Sequence, residues 1–509
     1  MKKILIILFA GVWTACSDFL EPKSQSEYIP KEATALNEML IGEAYPRPGS
    51  DGAPILDIIS ILDDDVMCTN NSETDLDETL NGEGDFMVLR ALFSWQPDVY
   101  DLMEKANNNF NRWANYYEYV LGTNAALDYL EDVSGTEDEK NIVRAQALAL
   151  RGFYYFYLVN IWGESYSSNK TGLGVPLKLT SSMEKRDIRR NTVEEVYEQI
   201  LKDLGEAEKL YEQLPEQLRF KKDYRTSLPM VQMLKSRVYL YMEDWKNAAI
   251  YAKKVIENWN FSLLDLNTLP EGDSYYNFIS MDCPEAIWVF GSISRYMTYL
   301  DYSVYLEDPW DSDKHIGINF FNASDELLNL YVEEDLRKKN YILRERYKDS
   351  WGEVYDGEEL AIGKFAITPD HRVADDQGFA HAFRLPEAYL NLAEAAAKDR
   401  DDETALWALN ELRRHRFSGE YEPISGISGE ALVEKIRLER RLELCFECHR
   451  WFDLKRYGNE SITHQWKVRG EVIQGYVLPP DDPFYAHPFS REVLEQNRSL
   501  IQNKLPNPR

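Results

Sequence analysis

Along most of the chain apolar residues recur every three to four positions, the spacing that lines one face of an α-helix. The pattern predicts helices over Lys31–Gly42, Asn107–Leu130, Asp138–Trp162, Thr192–Leu214, Pro229–Glu243, Asn247–Asn258, Ser324–Tyr331, Pro386–Lys398, Glu403–His415 and Gly429–Arg456. Two pairs follow one plan. Pro229–Glu243 turns tightly into Asn247–Asn258, with small Ala248, Ala249 and Ala252 where helices must approach. Pro386–Lys398 and Glu403–His415 repeat it with Ala393, Ala395, Ala396 and Ala405.

Each pair is similar to a degenerate tetratricopeptide unit, a helix–turn–helix repeat of about 34 residues. Because the pairs are not contiguous, a regular solenoid is not expected. Between them, 260–320 and 345–385 lose the helical period and are rich in Gly, Pro, Asp and aromatics. Within the first, Ala286–Phe290 has the continuous apolar character of a buried strand. The expected fold is therefore mostly α, with long irregular excursions that carry a few short strands. Long loops on a rigid scaffold are where function is to be sought.

Charge narrows the options. Against 57 Lys and Arg stand 87 Asp and Glu, a formal charge of −30 on 509 residues. Such a surface is repelled by phosphate backbones, which excludes a nucleic-acid binder, and anionic lipid is disfavoured for the same reason. The chain nevertheless starts with an export signal: Met1-Lys2-Lys3, the apolar run Ile4 to Trp13, then Thr14-Ala15-Cys16. That run is too short to span a bilayer. The segment resembles a bacterial lipoprotein signal in which Cys16 is acylated, with Trp13 departing from the usual Leu three residues before the cysteine. The layout that follows is a signal peptide over 1–15, a lipidated tether over 16–30 and one body over 31–509. The body divides into helical parts, 31–260 and 386–509, around the loop-rich 261–385. Acyl chains would supply the membrane attachment that an acidic surface cannot.

Little points to catalysis. Hydrolase-elbow, zincin, phosphate-loop and dinucleotide motifs do not occur, and the seven histidines are not in zinc-ligand spacing. A glycoside hydrolase needs only two carboxylates at a set separation, which the sequence leaves open as a rival. Asp77-x-Thr79-x-Asn81-Gly82 starts like a calcium loop and fails at Val88, where Glu is required. Asp63-Asp64-Asp65 suggests a solvated loop or helix cap rather than a metal site. Cys445-Phe446-Glu447-Cys448-His449 matches a haem-attachment pattern, but helical periodicity through Leu432, Ile436, Leu442, Cys445 and Phe452 makes the cysteines small apolar fillers. No cofactor is called for.

Six blocks in order carry a resemblance over nearly the whole chain. They are Trp113 to Ala125; Ala149 to Gly163 with Gly174 to Leu177; Arg190 to Leu204; Arg384 to Ala395; Glu439 to Leu444; and Arg450 to Arg456. With the lipoprotein-like start, they identify the chain as resembling the SusD/RagB family of outer-membrane lipoproteins. In that family the Cys448 position is usually Gly, and the ending around His487 to Asn497 matches only loosely. Arg440, Arg441, Glu439, Glu443, Arg450 and Asp453 stand at spacings suited to ion pairs between helices, a scaffold role.

The resemblance implies non-catalytic capture of a glycan at the cell surface and delivery to a SusC-type TonB-dependent transporter. Peptide capture is the alternative found in some branches. Residue chemistry agrees in kind. Tyr275 to Trp310 holds ten aromatics in 36 residues, and flat Tyr and Trp faces stack on sugar rings. Phe278, Trp288 and Phe290 are assigned to core. Tyr296, Tyr299 and Trp310 are the candidate ligand contacts, together with Trp95, placed in a turn by Pro97.

Overall fold

A computed structural model describes residues 30–49, 53–69, 85–105, 112–183, 188–270, 276–294, 303–308, 311–319, 321–348, 354–360, 363–365, 378–468 and 470–509. The longer helices are α1 Ala33–Ala44, α2 Asp85–Phe93, α3 Val99–Lys105, α4 Arg112–Tyr129, α5 Glu137–Trp162 and α6 Val193–Gln213. They continue with α7 Leu228–Tyr241, α8 Trp245–Asn258, α9 Asp325–Leu330, α10 Leu336–Tyr341, α11 Leu385–Lys398, α12 Asp402–Arg414, α13 Gly429–Leu444, α14 Arg450–Arg456 and α15 Arg491–Gln496. The fold is mostly helical, and each helix expected from periodicity forms, with ends shifted by a few residues or, in one case, with a break.

Local chemistry sets the starts. Thr136 and Thr192 each accept a hydrogen bond from the backbone N–H of Glu139 and Glu195, whose carboxylates accept in return from the threonine N–H, a reciprocal capping box. From Ala145 to Trp162 every residue of α5 is buried, as expected of a helix apolar on all sides at the centre of a bundle. Its partner α6 comes close at Gly152, where a Cβ would stand 3.0 Å from the Leu204 side chain. Arg151 locks the pair with two bonds to Asp203, at 2.8 and 2.7 Å.

Neighbours then stack in sequence: α1 on α4, α4 on α5, α5 on α6, α6 on α7, and α7 on α8. The next layer is α11, so α8 packs against a helix separated from it by 126 residues as readily as against its sequence neighbour. The helix pairs are thus adjacent in space although separated in sequence. The intervening excursion leaves the frame and returns without separating the two pairs. Ala252, Ala393, Ala396, Ala405 and Ala408 form the close seam with Leu392, Leu409 and Ile436.

Among the described residues ten strands form five antiparallel pairs. They are β1 Val66–Cys68 with β5 Phe321–Ala323, β2 Ala286–Ser292 with β8 Phe379–Arg384, β3 Ser303–Asp308 with β4 Asp311–Asn319, β6 Leu343–Lys348 with β7 Val354–Leu360, and β9 Ile462–Val468 with β10 Glu471–Leu478. β2 is buried throughout, as its apolar run predicts, with Trp288 stacked on Phe290 at 4.6 Å. β8 passes directly into α11, making this ladder the joint between excursion and frame.

The expected helix Gly429–Arg456 is broken. α13 stops at Leu444, and Cys445 to His449 form a bend with Phe446 at φ 59° and Cys448 at φ 61°. The cause is the Lys364 ammonium, which donates to the Glu443 and Cys445 carbonyls at 2.7 and 2.8 Å and so satisfies the helix end. Periodicity hid the break because Leu442 before it, Cys445 and Cys448 within it and Phe452 after it are all buried. Left-handed backbone at Cys448 explains why glycine suits that position. Both cysteines are buried and outside any disulfide, and Glu447 between them is paired with Lys364 and Arg384, so the C-x-x-C-H run is interior structure.

Around this bend lies a buried charge cluster. Glu443 accepts from Arg416 (Nε to Oε2, 2.8 Å) and Tyr341 (2.9 Å); Arg416 reaches Glu285 at 2.7 Å, and Glu285 accepts from Arg384 at 2.8 Å. Arg384 also donates to Glu447. Arg337 lies 2.6 Å from Asp335 and 2.7 Å from Glu439, and Glu439 also pairs with Arg413. Five cations, Arg337, Lys364, Arg384, Arg413 and Arg416, thus face five anions, Glu285, Asp335, Glu439, Glu443 and Glu447. Burial alone would raise Glu443, but Arg416 and Arg384 outweigh it and hold it well below the usual carboxylate range. Glu447 and Glu439 are lowered in the same way, against burial, by Arg384 with Lys364 and by Arg337 with Arg413.

Two outcomes follow. Glu443→Ala leaves three buried arginines short of a partner and is expected to cost about 3–5 kcal/mol in urea unfolding. Carboxylates held below their unfolded value of 4.5 add stability that is complete above that pH and drains as pH falls through the lowered values. The thermal midpoint should therefore fall steeply below about pH 4, and less steeply in Glu443→Gln.

Candidate ligand-binding face

The excursions are rooted in one cluster of short strands. β5 lies along β7, β4 along β6 and β7, and β1 along β9. Along the chain β1 precedes 70–84, β2 precedes 295–302, β3 and β4 flank 309–310, β6 and β7 flank 349–353, and β8 follows 366–377.

An aromatic layer supports the cluster. Alternation along β9 sends Ile462, His464 and Trp466 inward. The His464 ring is stacked between Phe93 at 3.9 Å and Trp95 at 4.3 Å, and Phe321 of β5 lies 5.2 Å from Phe93. The His464 nitrogens face the carbonyl oxygens of Phe93 at 2.7 Å and Asp63 at 2.9 Å. Burial pushes this imidazole below its ordinary pKa, so the neutral ring donates to one of them.

Trp95 belongs to that layer, which corrects its assignment as a ligand contact. It is 0% exposed and donates from Nε1 to the Leu62 carbonyl at 2.9 Å. Pro97 lies beyond the end of α2 at Phe93, and the left-handed turn at Trp95, φ 53°, folds the indole inward instead of presenting it. Tyr296, Tyr299, Trp310 and Cys16 lie outside the described residues, as does the Asp77–Gly82 run. Of the remaining aromatics in that stretch, Phe278, Trp288 and Phe290 are core, and Tyr276 is half-buried with its ring 5.0 Å from Phe278.

Asp63-Asp64-Asp65 is also corrected. Asp63 and Asp65 are buried, and the three carboxylates lie close enough together to suggest a cation. Arginines already supply the charge. Arg450 donates to both oxygens of Asp64 at 2.7 and 2.8 Å, and Arg441 to Asp65 at 2.8 Å. Burial, with Asp65 and Asp64 beside it, pushes the Asp63 carboxyl well above the carboxylate range. Through these arginines the triplet staples the β1 segment to α13 and α14. The remaining family-block residues are scaffold too: Arg440 binds Asp453 at 2.7 Å, Arg237 binds Glu387 twice at 2.6 Å, and Arg456 binds Glu394 twice at 2.6 Å.

Two cavities escaped sequence reasoning. An open groove of about 870 Å³ runs between α1 and α4 past Arg47, Glu118, Tyr119 and Tyr129. Tyr119 is stacked flat on Tyr154 at 5.0 Å, so one of its faces is already covered. A smaller cavity of about 230 Å³ lies near α1, α5 and α6 and includes Ser227. Neither bears a sequence signal, because their linings combine residues distant in the chain.

Two family profiles match the chain, one described as "Starch-binding associating with outer membrane" over residues 18–240 and one as the SusD family over residues 295–504. The chain belongs to the SusD/RagB family. A SusD-like protein of Formosa agariphila is 26% identical over 422 residues, 77% of this chain and 79% of that one. A SusD-like protein of Bacteroides ovatus is 25% identical over 403 residues, covering 70% and 68%. Among solved structures, a SusD-like carbohydrate-binding protein of Bacteroides vulgatus superposes with TM-score 0.67 at 21% identity, over 92% of this chain and 98% of that one. A SusD superfamily protein of Bacteroides thetaiotaomicron gives 0.66 at 19%, again over 92% and 98%. For a SusD/RagB chain, the buried charge clusters account for the sequence blocks that define the resemblance: they hold the scaffold together.

Trp95→Ala, as a core truncation, is expected to cost about 3–5 kcal/mol of unfolding free energy, measured in urea. Cys448→Gly should stay within about 1 kcal/mol of wild type, since relief of left-handed strain offsets the lost side chain, whereas Cys445→Gly should cost more.

Proposed function

We propose that the protein captures a glycan, an oligo- or polysaccharide, at the outer surface of the outer membrane without cleaving it. It then passes the glycan to a SusC-type TonB-dependent transporter. Acylation of Cys16 anchors the body, and the excursions between β1 and β8 form the binding face, with Tyr296, Tyr299 and Trp310 as stacking platforms.

One observation carries this reading: SusD-family profiles account for most of the chain, and one of them is described by starch binding at the outer membrane. The Bacteroides vulgatus relative, a carbohydrate-binding protein of the same fold, points the same way. Glu443, Glu447, Glu439 and Asp453 have strongly shifted carboxyls, and each is buried against arginine or lysine within the scaffold. Groups committed in this way are unavailable for acid–base work on a substrate. The net charge of −30 suits attachment through lipid, with the folded body remaining in water.

A glycan array, with a peptide pool beside it, tests the ligand class. At least one polysaccharide should bind, and incubation with it should release no new reducing ends. Trp310→Ala and Tyr296→Ala should each weaken that binding by roughly 5- to 100-fold, the worth of one stacked ring. Binding of peptides alone, or cleavage of the bound glycan, would refute the reading.

A further inference from the structure

The segment 218–227 folds back between α6 and α7, and the smaller cavity lies between it, α1 and the start of α5. Its lining has two characters. Ile142, Leu218 and Phe220 give apolar surface, while Asn37, Gln146 and Ser227 give neutral hydrogen-bonding groups. The charges beside them are largely answered. Arg225 donates to Asp223 (Nε to Oδ2, 2.9 Å) and Glu139 serves the cap of Thr136, while Glu38 and Lys221 are exposed to solvent.

The polar groups are also fixed. Tyr45 donates to Gln146 Oε1 at 2.5 Å, and Gln146 Nε2 donates to Asn37 Oδ1 at 3.0 Å, which leaves the Asn37 amide donors over. Burial raises the Tyr45 hydroxyl far above its ordinary pKa, so it remains a donor. Ser227 is the exception. It stands at the N-cap of α7, yet its side chain makes no cap bond; it is 2% exposed, and its Oγ has no hydrogen-bond partner. A buried hydroxyl in that state carries an unrecovered desolvation cost that a ligand group could offset.

We propose that this cavity is a second binding site, one that takes a single neutral sugar ring, either a free monosaccharide or the terminal unit of a chain. Its volume of about 230 Å³ falls below the ~300–1,000 Å³ of pockets for larger ligands and leaves room for one ring. Amide and hydroxyl groups of both donor and acceptor type match a polyol edge, and Phe220 offers an apolar face to the ring carbons. None of the lining residues lies in β1 to β10, so the site is separate from the excursion face. The sugar class rests on the glycan-binding reading above; the place does not.

Saturation-transfer NMR with glucose, galactose, mannose and xylose, and with glycine and glutamate as controls, tests it on the full body. At least one sugar should bind. Ser227→Ala and Phe220→Ala should each weaken it about five-fold or more, with the thermal midpoint of Ser227→Ala at or above wild type. No sugar signal, a sugar signal unchanged in both variants, or amino-acid binding without sugar would overturn the site. Array binding of the intact polysaccharide separates the two readings. If it persists while these tests fail, only the second site falls. If it is absent while a single sugar binds and responds to both variants, only the excursion face falls.

Discussion

A single buried carboxylate ties the excursions to the frame. Glu443, near the end of α13, accepts from Arg416 and Tyr341 and lies 3.4 Å from Arg337 and Arg384. Those partners come from α10, from the end of α12 and from the junction of β8 with α11. The excursion leaves the helical frame after α8 and rejoins it at Arg384. Without a fixed junction there, 126 intervening residues would hang from two loose ends. Charges this deep require partners on every side, and five cations opposite five anions supply them.

The same cluster decides local conformation. Lys364, from the short stretch 363–365 inside the excursion, terminates α13 by taking its last carbonyls. The helix then turns through left-handed Cys448 into α14, which places Arg450 against Asp64 and brings the β1 segment under the strand cluster. Binding faces need such support, since loops gain precision only from the elements that hold them. The strongly shifted carboxylates Glu443, Glu447 and Glu439 are therefore groups of the scaffold, committed to their arginine and lysine partners.

Much of the frame was legible because amphipathic helices write their buried face at a fixed period. Thr136 and Thr192 even mark their own starts. The family blocks were legible as ion-pair candidates, and Arg440, Arg441 and Arg450 pair as their spacing suggests, although the partners Asp64 and Asp65 lie far away in sequence. Trp95 failed for a physical reason: a proline nearby signals a turn but not which way the indole points, and a single left-handed residue turned it inward. The helix through Cys445 failed because a bend capped by a distant lysine buries the same residues that a continuous helix would. Ser227 carried no signal at all, since an unpartnered hydroxyl is a property of three-dimensional neighbours.

The central claim is that a rigid, charge-locked frame presents the excursions to a glycan. Hydrogen–deuterium exchange, with and without the polysaccharide selected on the array, tests it most directly. The account predicts added protection in peptides from 70–84, 295–310 and 349–377, with α5, α11 and α13 unchanged and already slow to exchange. Protection spread through those helices, or none in the three excursion segments, would contradict it.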